Sequence, residues 1–173
     1  MSEPYQAYLL FPDGIQPELA VDLVGKIFAD FGGVIDEDSL LILEDFDAEE
    51  PEAEYVQDSE KALMKLKGWP TMGSIDFMVC AGMTTVAFKK TAGQVKAIEV
   101  SILSSAFERS EYHRACYMNL IVKLDELFGP TRTIMQWGLE SIGFNWKEEV
   151  VRLKKGSFTK SYLLLDIQRK SKR

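Results

Sequence analysis

Carboxylates are the side chains of this sequence whose types and spacing come closest to a metal site. Asp45, Asp47 and Glu49 alternate with other residues, as the first ligands of a calcium-binding loop do. Such a loop needs a glycine near its middle and a glutamate at its twelfth position. Pro51 and Val56 stand at those two points of this sequence. We therefore predict that the chain binds no metal ion and no other cofactor.

A nucleophile and a general base could come from Cys116 and from His113, the only histidine. Residues at this spacing lie about one turn apart on a helix. Both border the apolar stripe of a predicted helix that contains Tyr117 and Leu120, so packing accounts for them without chemistry. The sequence contains no glycine-rich phosphate loop and no nucleophile elbow. We predict no catalytic residue and a protein that is not an enzyme.

The two cysteines, Cys80 and Cys116, stand in apolar stretches of the sequence. They form neither a disulfide framework nor a metal-binding motif, and we predict two free thiols in the core of a reduced protein. No apolar run approaches the roughly 20 residues that cross a bilayer. Residues 1–5 lack the layout of a signal peptide. We predict a cytoplasmic location and no membrane partner.

Charge is distributed unevenly along the chain. The first 60 residues contain 17 acidic residues and one basic residue, whereas the remaining 113 contain 10 acidic and 19 basic residues. The net charge of −7 is thus −16 in one third of the chain and +9 in the rest. This split predicts a negative surface that attracts a basic protein partner and disfavours nucleic acid, which is itself a dense line of negative charge. The competing interpretations are internal neutralisation by the basic remainder and solubility alone.

The acidic region is densest between residues 44 and 55, where two aromatic side chains accompany the carboxylates. Charge steers association, and aromatic side chains can anchor the complex once it has formed. We predict that this segment binds the partner. The predicted partner-binding residues are Glu44, Asp45, Phe46, Asp47, Glu49, Glu50, Glu52, Glu54 and Tyr55.

The elements that must position these residues follow from periodicity and from turn residues. Before residue 70, we predict in chain order a strand, a turn, a helix, a second strand, a solvated loop and a short helix capped by Asp58 or Ser59. These elements span residues 8–11, 12–14, 17–32, 40–43, 45–58 and 59–68.

Beyond residue 70 the period changes to two and then returns to that of a helix. Residues 73–103 predict an antiparallel meander with turns at Gly82-Met83 and Ala92-Gly93. A capping box beginning at Ser105 opens a predicted helix over 108–128. Residues 131–144 match no element. A helix over 145–155, a strand over 162–167 and a frayed basic tail over 169–173 complete the prediction.

Together these elements predict one α+β domain over residues 1–168, followed by the basic tail 169–173. Its sheet is mainly antiparallel, formed by the meander 73–103 plus N- and C-terminal strands, with the helices mostly on one face.

A small acidic chain of this kind, without catalytic residues, suits a bacterial immunity protein that neutralises a cognate basic toxin, such as a nuclease whose phosphate-binding surface carboxylates could occupy. A secretion chaperone or another protein-binding adaptor is the alternative. An enzyme with an unrecognised carboxylate or His/Cys site is the third. The comparison is one of class and rests on no motif, and the oligomeric state is not predicted.

Overall fold

The computed structural model describes residues 3–36, 40–44, 52–55, 58–68, 72–138 and 163–170. Nine strands within these residues form a single sheet, and four helices accompany them. The strands are β1 (Tyr5–Ile15), β2 (Val34–Ile35), β3 (Leu40–Glu44), β4 (Glu52–Tyr55), β5 (Met72–Val79), β6 (Gly82–Thr91), β7 (Gln94–Ile102), β8 (Arg132–Trp137) and β9 (Leu163–Gln168). The helices are α1 (Pro17–Asp30), α2 (Ser59–Gly68), α3 (Ser104–Phe107) and α4 (Glu111–Phe128).

The sheet is antiparallel throughout the described strands, in the order β4-β3-β5-β6-β7-β1-β8-β9. Strand β2 lies beside β5 on the same edge that β3 uses. Strands β5, β6 and β7 are the predicted meander. Its second turn is Ala92-Gly93 as predicted, but its first is Cys80-Ala81, where both residues have positive φ. The predicted α+β class is confirmed.

One face of the sheet is covered by the helices and holds the main core. Strand β5 shows how alternation builds this face: Ile75, Phe77 and Val79 point into the core. The ring of Phe77 lies 4.4 Å from that of Phe28 on α1, centroid to centroid. Helix α4 contributes its apolar stripe of Tyr117, Leu120, Ile121 and Leu124. The described helices therefore pack on one face, as the sequence predicts.

The opposite face carries a smaller apolar cluster of Tyr8, Leu10, Ala97 and Ile134. Beside this cluster lie buried polar groups. Lys89 Nζ is 2.8 Å from Glu99 Oε2, and Gln6 Nε2 donates to Glu99 Oε1 at 2.9 Å. A buried ion pair with a further hydrogen bond satisfies the charges that burial would otherwise penalise.

The predicted turn at residues 12–14 is wrong, because β1 continues through it to Ile15. The register between β1 and β7 shifts between Leu10 and Ile15, so an irregularity in the strand accommodates the turn residues. Gly14 has φ +78°, a conformation that glycine adopts without strain.

The predicted single helix over 108–128 is also wrong at its beginning. Helix α3 ends at Phe107, and α4 begins at Glu111 after a new cap at Ser110. The Ser110 hydroxyl accepts a hydrogen bond from the backbone N–H of His113 at 3.2 Å. Gly129, in the left-handed conformation, ends α4 as predicted.

Three expectations for the later part of the chain change. Cys80 and Cys116 are joined by a disulfide bond, so the prediction of two free thiols is wrong. Residues 132–137, which matched no predicted element, form β8. Arg169 is not frayed, because its guanidinium pairs with Asp125 on α4. The predicted helix over 145–155 lies outside the described residues.

Candidate functional site

The predicted partner-binding segment lies at one end of the sheet, where β3 and β4 form an antiparallel pair and β4 ends the strand order. Residues 52–55 therefore form a strand where the sequence predicted a loop. Strand β4 has little apolar pattern of its own, and pairing to β3 supplies its backbone hydrogen bonds. Glu44, Glu52, Glu54 and Tyr55 lie in these strands. Asp45, Phe46, Asp47, Glu49 and Glu50 lie outside the described residues.

The register separates the strand positions of this segment into two groups. Glu52 pairs with Leu43, and Glu44 pairs with Met72 of β5. Because successive positions of a strand alternate between the two faces of a sheet, positions 52 and 54 belong to one face and positions 44 and 55 to the other. The four predicted positions that lie in described strands are therefore divided between the two faces of the sheet.

Helix α2 follows this strand pair and is fixed at both ends. The Asp58 side chain accepts hydrogen bonds from the first backbone N–H groups of the helix, as predicted. At the other end, Lys90 of β6 donates from its Nζ to the carbonyls of Leu66 (2.5 Å) and Lys67 (3.2 Å). Burial lowers the pKa of Lys90 to about 8, and the charge of Glu18 acts in the opposite direction. The helix is thereby held against β6.

Three described basic residues of the later part are paired with acidic residues of the same part. Lys89 pairs with Glu99, Arg132 with Asp166, and Arg169 with Asp125, at N–O distances of 2.8, 3.0 and 2.6 Å. An N-terminal acid also makes a pair, since Asp22 on α1 lies 2.6 Å from Lys67 on α2. The described contacts therefore commit three bases of the later part to carboxylates outside the acidic third.

Several carboxylates of the acidic third point to solvent on the described surface. They belong to β1, to α1 and to the beginning of α2. The exposed residues are Asp13, Glu18, Asp22, Asp30, Asp58 and Glu60. These exposed carboxylates lie outside the segment 44–55 that the sequence emphasised.

Two further carboxylates meet on the face of the sheet opposite the helices. The backbone N–H of Asp36 donates to the carbonyl of Asp76 at 3.1 Å, and the Thr85 hydroxyl donates to Asp76 Oδ1 at 2.6 Å. Burial raises the pKa of Asp76, the bond from Thr85 lowers it, and the negative charge of Asp36 raises it. The sequence analysis did not select these residues. The signal for Asp76 was its alternation with the core residues Ile75 and Phe77.

The His113 and Cys116 pair is not arranged as a catalytic pair. His113 Nδ1 lies 2.7 Å from the hydroxyl of Ser110, the cap of its own helix. The sulfur of Cys116 is bonded to Cys80 and is therefore not available as a thiolate. Among the described residues, no group of three or more His, Cys, Asp or Glu side chains could hold a metal ion.

No helix in the described ranges is both long enough and apolar enough to cross a membrane.

The chain matches no known family model and no curated protein. Two solved structures resemble it at low identity. One chain of the crystal structure of the toxic C-terminal tip of CdiA from Pseudomonas aeruginosa, in complex with its immune protein, is 14% identical, with a TM-score of 0.48 over 82% of this chain and 90% of that one. The type VI secretion protein PA0821 of the same organism is 10% identical, with a TM-score of 0.47 over 79% of this chain and 40% of that one. Likeness at this level carries no argument about function.

Proposed function

We propose that this chain is a non-enzymatic protein that binds a basic protein partner through the negative surface of its N-terminal third. The partner that best fits such a surface is a toxin that the chain neutralises, and a nuclease is the toxin class whose phosphate-binding surface carboxylates would occupy. The observation that carries the proposal is the pairing of Lys89, Arg132 and Arg169 with acids of the later part. Those three bases are matched to acids of their own part of the chain, and we infer that exposed N-terminal carboxylates such as Asp13, Asp30 and Glu60 serve a partner instead.

Neutralisation in this scheme is steric and electrostatic. A negative surface raises the association rate with a basic protein, and carboxylates placed where phosphates would bind exclude the substrate of that protein. Charge alone gives a fast encounter more than a long residence, so a durable complex also needs buried apolar contacts. The predicted aromatic anchors, Phe46 and Tyr55, would supply part of them.

The disulfide bond weakens the case for the predicted cytoplasmic location. Free thiols were one reason to predict a cytoplasmic location, and the bond between Cys80 and Cys116 removes that reason. Disulfides persist in oxidising compartments. A partner met there would be secreted or imported, which is compatible with a toxin.

The test compares two charge reversals of equal size. Glu49→Lys/Glu50→Lys alters the predicted segment, whereas Glu111→Lys/Glu126→Lys alters two exposed acids of α4. The partner is captured from cells of the source organism, identified by mass spectrometry and purified, and its association rate with each variant is then measured. We expect the first variant to slow association about tenfold at low salt, because local charge governs steering. We expect the second variant to change the rate less than about twofold.

A partner that is itself acidic, or equal rates for the two variants, would contradict the proposal. The alternatives give different complexes. A toxin inhibitor forms a one-to-one complex that abolishes the activity of the toxin, whereas a secretion chaperone holds a partly unfolded client. Measuring the stoichiometry and residual activity of the captured partner distinguishes the two.

A further inference from the structure

Three large apolar side chains lie side by side on the sheet face opposite the helices. Met78 of β5 pairs with Val34 of β2 on one side and with Met83 of β6 on the other. Residues that pair directly in antiparallel strands share a face. Their exposed fractions are 63% for Val34, 41% for Met78 and 37% for Met83. We call these three residues the apolar strip.

The next row on the same face is acidic. It lies two positions along each strand and contains Asp36 beside Asp76, with Thr85 of β6 completing the row. Both carboxylates are partly buried. The charge of Asp36 is one cause of the raised pKa of Asp76, although burial is the larger cause. A cation placed against these two carboxylates would relieve their repulsion. We call Asp36 and Asp76 the acidic row.

The same face continues toward the predicted partner-binding segment. Ser74 and Met72 follow Asp76 at alternate positions of β5, and Met72 pairs with Glu44 of β3. The strip, the acidic row and one end of the acidic segment thus follow one strand on one face. Strand β5 connects the apolar and the acidic features.

We propose that the apolar strip is the docking site for a segment of the basic protein partner that carries apolar side chains next to lysine or arginine. This inference rests on the proposed function and adds to it the place where the partner is anchored. The apolar side chains of that segment cover Val34, Met78 and Met83, and its basic side chains lie against the acidic row. Methionine suits such a surface, because its flexible side chain adapts to different shapes.

Charge complementarity selects this occupant over a second copy of the chain. Two copies meeting strip to strip would each place an acidic row about 7 Å along the strands from the shared contact, and like charges at that range oppose association. A partner that brings its own positive charge meets no such opposition. Three side chains are a small area, so the contact must extend along β5 to reach the roughly 1,600 Å² of a standard interface.

Methionine methyl groups give a direct test. The chain contains seven methionines, each of which gives one methyl signal when the protein is labelled at that carbon. The probe is an acetylated peptide of about ten residues, the usual upper length of a strand, in which leucine and lysine alternate. A second peptide with serine in place of leucine has the same charge and no apolar side chains. Met64 on α2, 71% exposed, is the internal control.

We expect the leucine–lysine peptide to shift the methyl signals of Met78 and Met83 and to leave Met64 unchanged. The Met78→Gln/Met83→Gln variant should bind this peptide about tenfold more weakly, as expected for losing two partly buried side chains. The matched control Met64→Gln should bind it as the unaltered protein does. The serine–lysine peptide should bind more weakly than the leucine–lysine peptide and should not distinguish the two variants.

The contrary outcomes separate this inference from the proposed function. If both peptides bind equally and the Met78 and Met83 signals do not move, the strip is not the anchor, while the negative surface remains. If neither peptide binds at low salt, the electrostatic basis of the proposed function fails as well. If the Met78 and Met83 signals move with protein concentration in the absence of peptide, a second copy occupies the strip, and the assignment to a foreign partner is overturned.

Discussion

The first 60 residues and the 113 that follow use charged side chains in different ways. In the later part, Arg169 reaches Asp125, a carboxylate only 3% exposed, and Lys89 reaches Glu99 on the neighbouring strand. Between the two parts, Asp22 pairs with Lys67, and this aspartate is 63% exposed. The described pairs of the later part fasten strands and a helix together, whereas the acids of α1 are exposed to water.

This difference indicates how a chain can carry opposite charges without neutralising itself. The excess of 19 basic over 10 acidic residues beyond residue 60 suggests a positive half ready to meet the negative third. Of the described pairs that involve bases of that half, three match Lys89, Arg132 and Arg169 to acids of the same half, and one joins Lys67 to Asp22 of the negative third. Net charge along a sequence is therefore a poor guide to which charges meet, because pairing follows the fold.

We expect the largest loss of stability from removing the covalent cross-link of the later part. The bond between Cys80 and Cys116 closes a loop with a sequence separation of 36 and ties the first turn of the meander to α4. We expect Cys80→Ser/Cys116→Ser to lower the free energy of unfolding by about 3–4 kcal/mol, because the unfolded chain regains the entropy of that loop. Urea denaturation measures the change.

Reduction provides the control for this prediction. Dithiothreitol should lower the stability of the unaltered protein to that of the double serine variant and should leave the variant unchanged. The fold should survive in both, because the Tyr117 hydroxyl independently holds the same turn by donating to the carbonyl of Val79 at 3.0 Å. Alkylation of two thiols in the unreduced protein, with no response to dithiothreitol, would contradict the expectation.

The next largest effect should come from the buried carboxylate of α4. The Thr133 hydroxyl donates to Asp125 Oδ1 at 2.6 Å, and Arg169 donates to both carboxylate oxygens at 2.7 and 2.6 Å. We expect Asp125→Ala to lower the free energy of unfolding by about 3 kcal/mol, because it leaves a guanidinium and a hydroxyl without their acceptor. Thermal and urea unfolding would show the change.

The same residue predicts a dependence on pH. Burial alone would raise the pKa of Asp125, but the hydrogen bonds from Arg169 and Thr133 outweigh it, and the pKa lies below its ordinary value of 3.8. The folded state therefore releases this proton more readily than the unfolded state does, and the stabilisation is complete above about pH 4. It is lost as the pH falls through the lowered value. A stability difference between the unaltered protein and Asp125→Asn that stays constant down to pH 2 would contradict this assignment.

Local sequence patterns predicted the elements that form through interactions between residues close in the sequence. Alternation identified the meander, and cap residues such as Asp58 and Gly129 located helix ends. Where two caps competed, the prediction failed, because Ser105 and Ser110 both precede helical sequence and the fold uses Ser110 to begin α4. Strand β4 was missed, since a strand at the end of a sheet needs backbone pairing more than an apolar pattern.

Contacts between distant residues were beyond the reach of such patterns. Asp125 and Arg169 are 44 residues apart and meet because β9 pairs with β8 beside the end of α4. The apolar strip has the same origin. Val34 and Met78 are unremarkable in the sequence, and only the pairing of β2 with β5 brings them together. The contacts that form the apolar strip and the acidic row could therefore not be predicted from the sequence, and the assignment of residues 44–55 to partner binding stays a prediction.

The smallest expected effect comes from setting an ion pair within the later part against the pair that joins the two parts. Arg132 donates from Nε and Nη2 to the two oxygens of Asp166, each at 3.0 Å, and Asp166 is 22% exposed. These hydrogen bonds from Arg132 are the main cause of the lowered pKa of Asp166.

We expect Asp166→Asn to lower the free energy of unfolding by about 1 kcal/mol, as for a bidentate pair near the surface. Asp22→Asn should change it by less than about 0.5 kcal/mol, and about 0.5 M salt should erase that change, because the aspartate is largely in water. Equal losses in urea denaturation would mean that Asp22 stabilises the fold as much as Asp166 does. The carboxylates of the acidic third would then be engaged in the fold and not available to a partner.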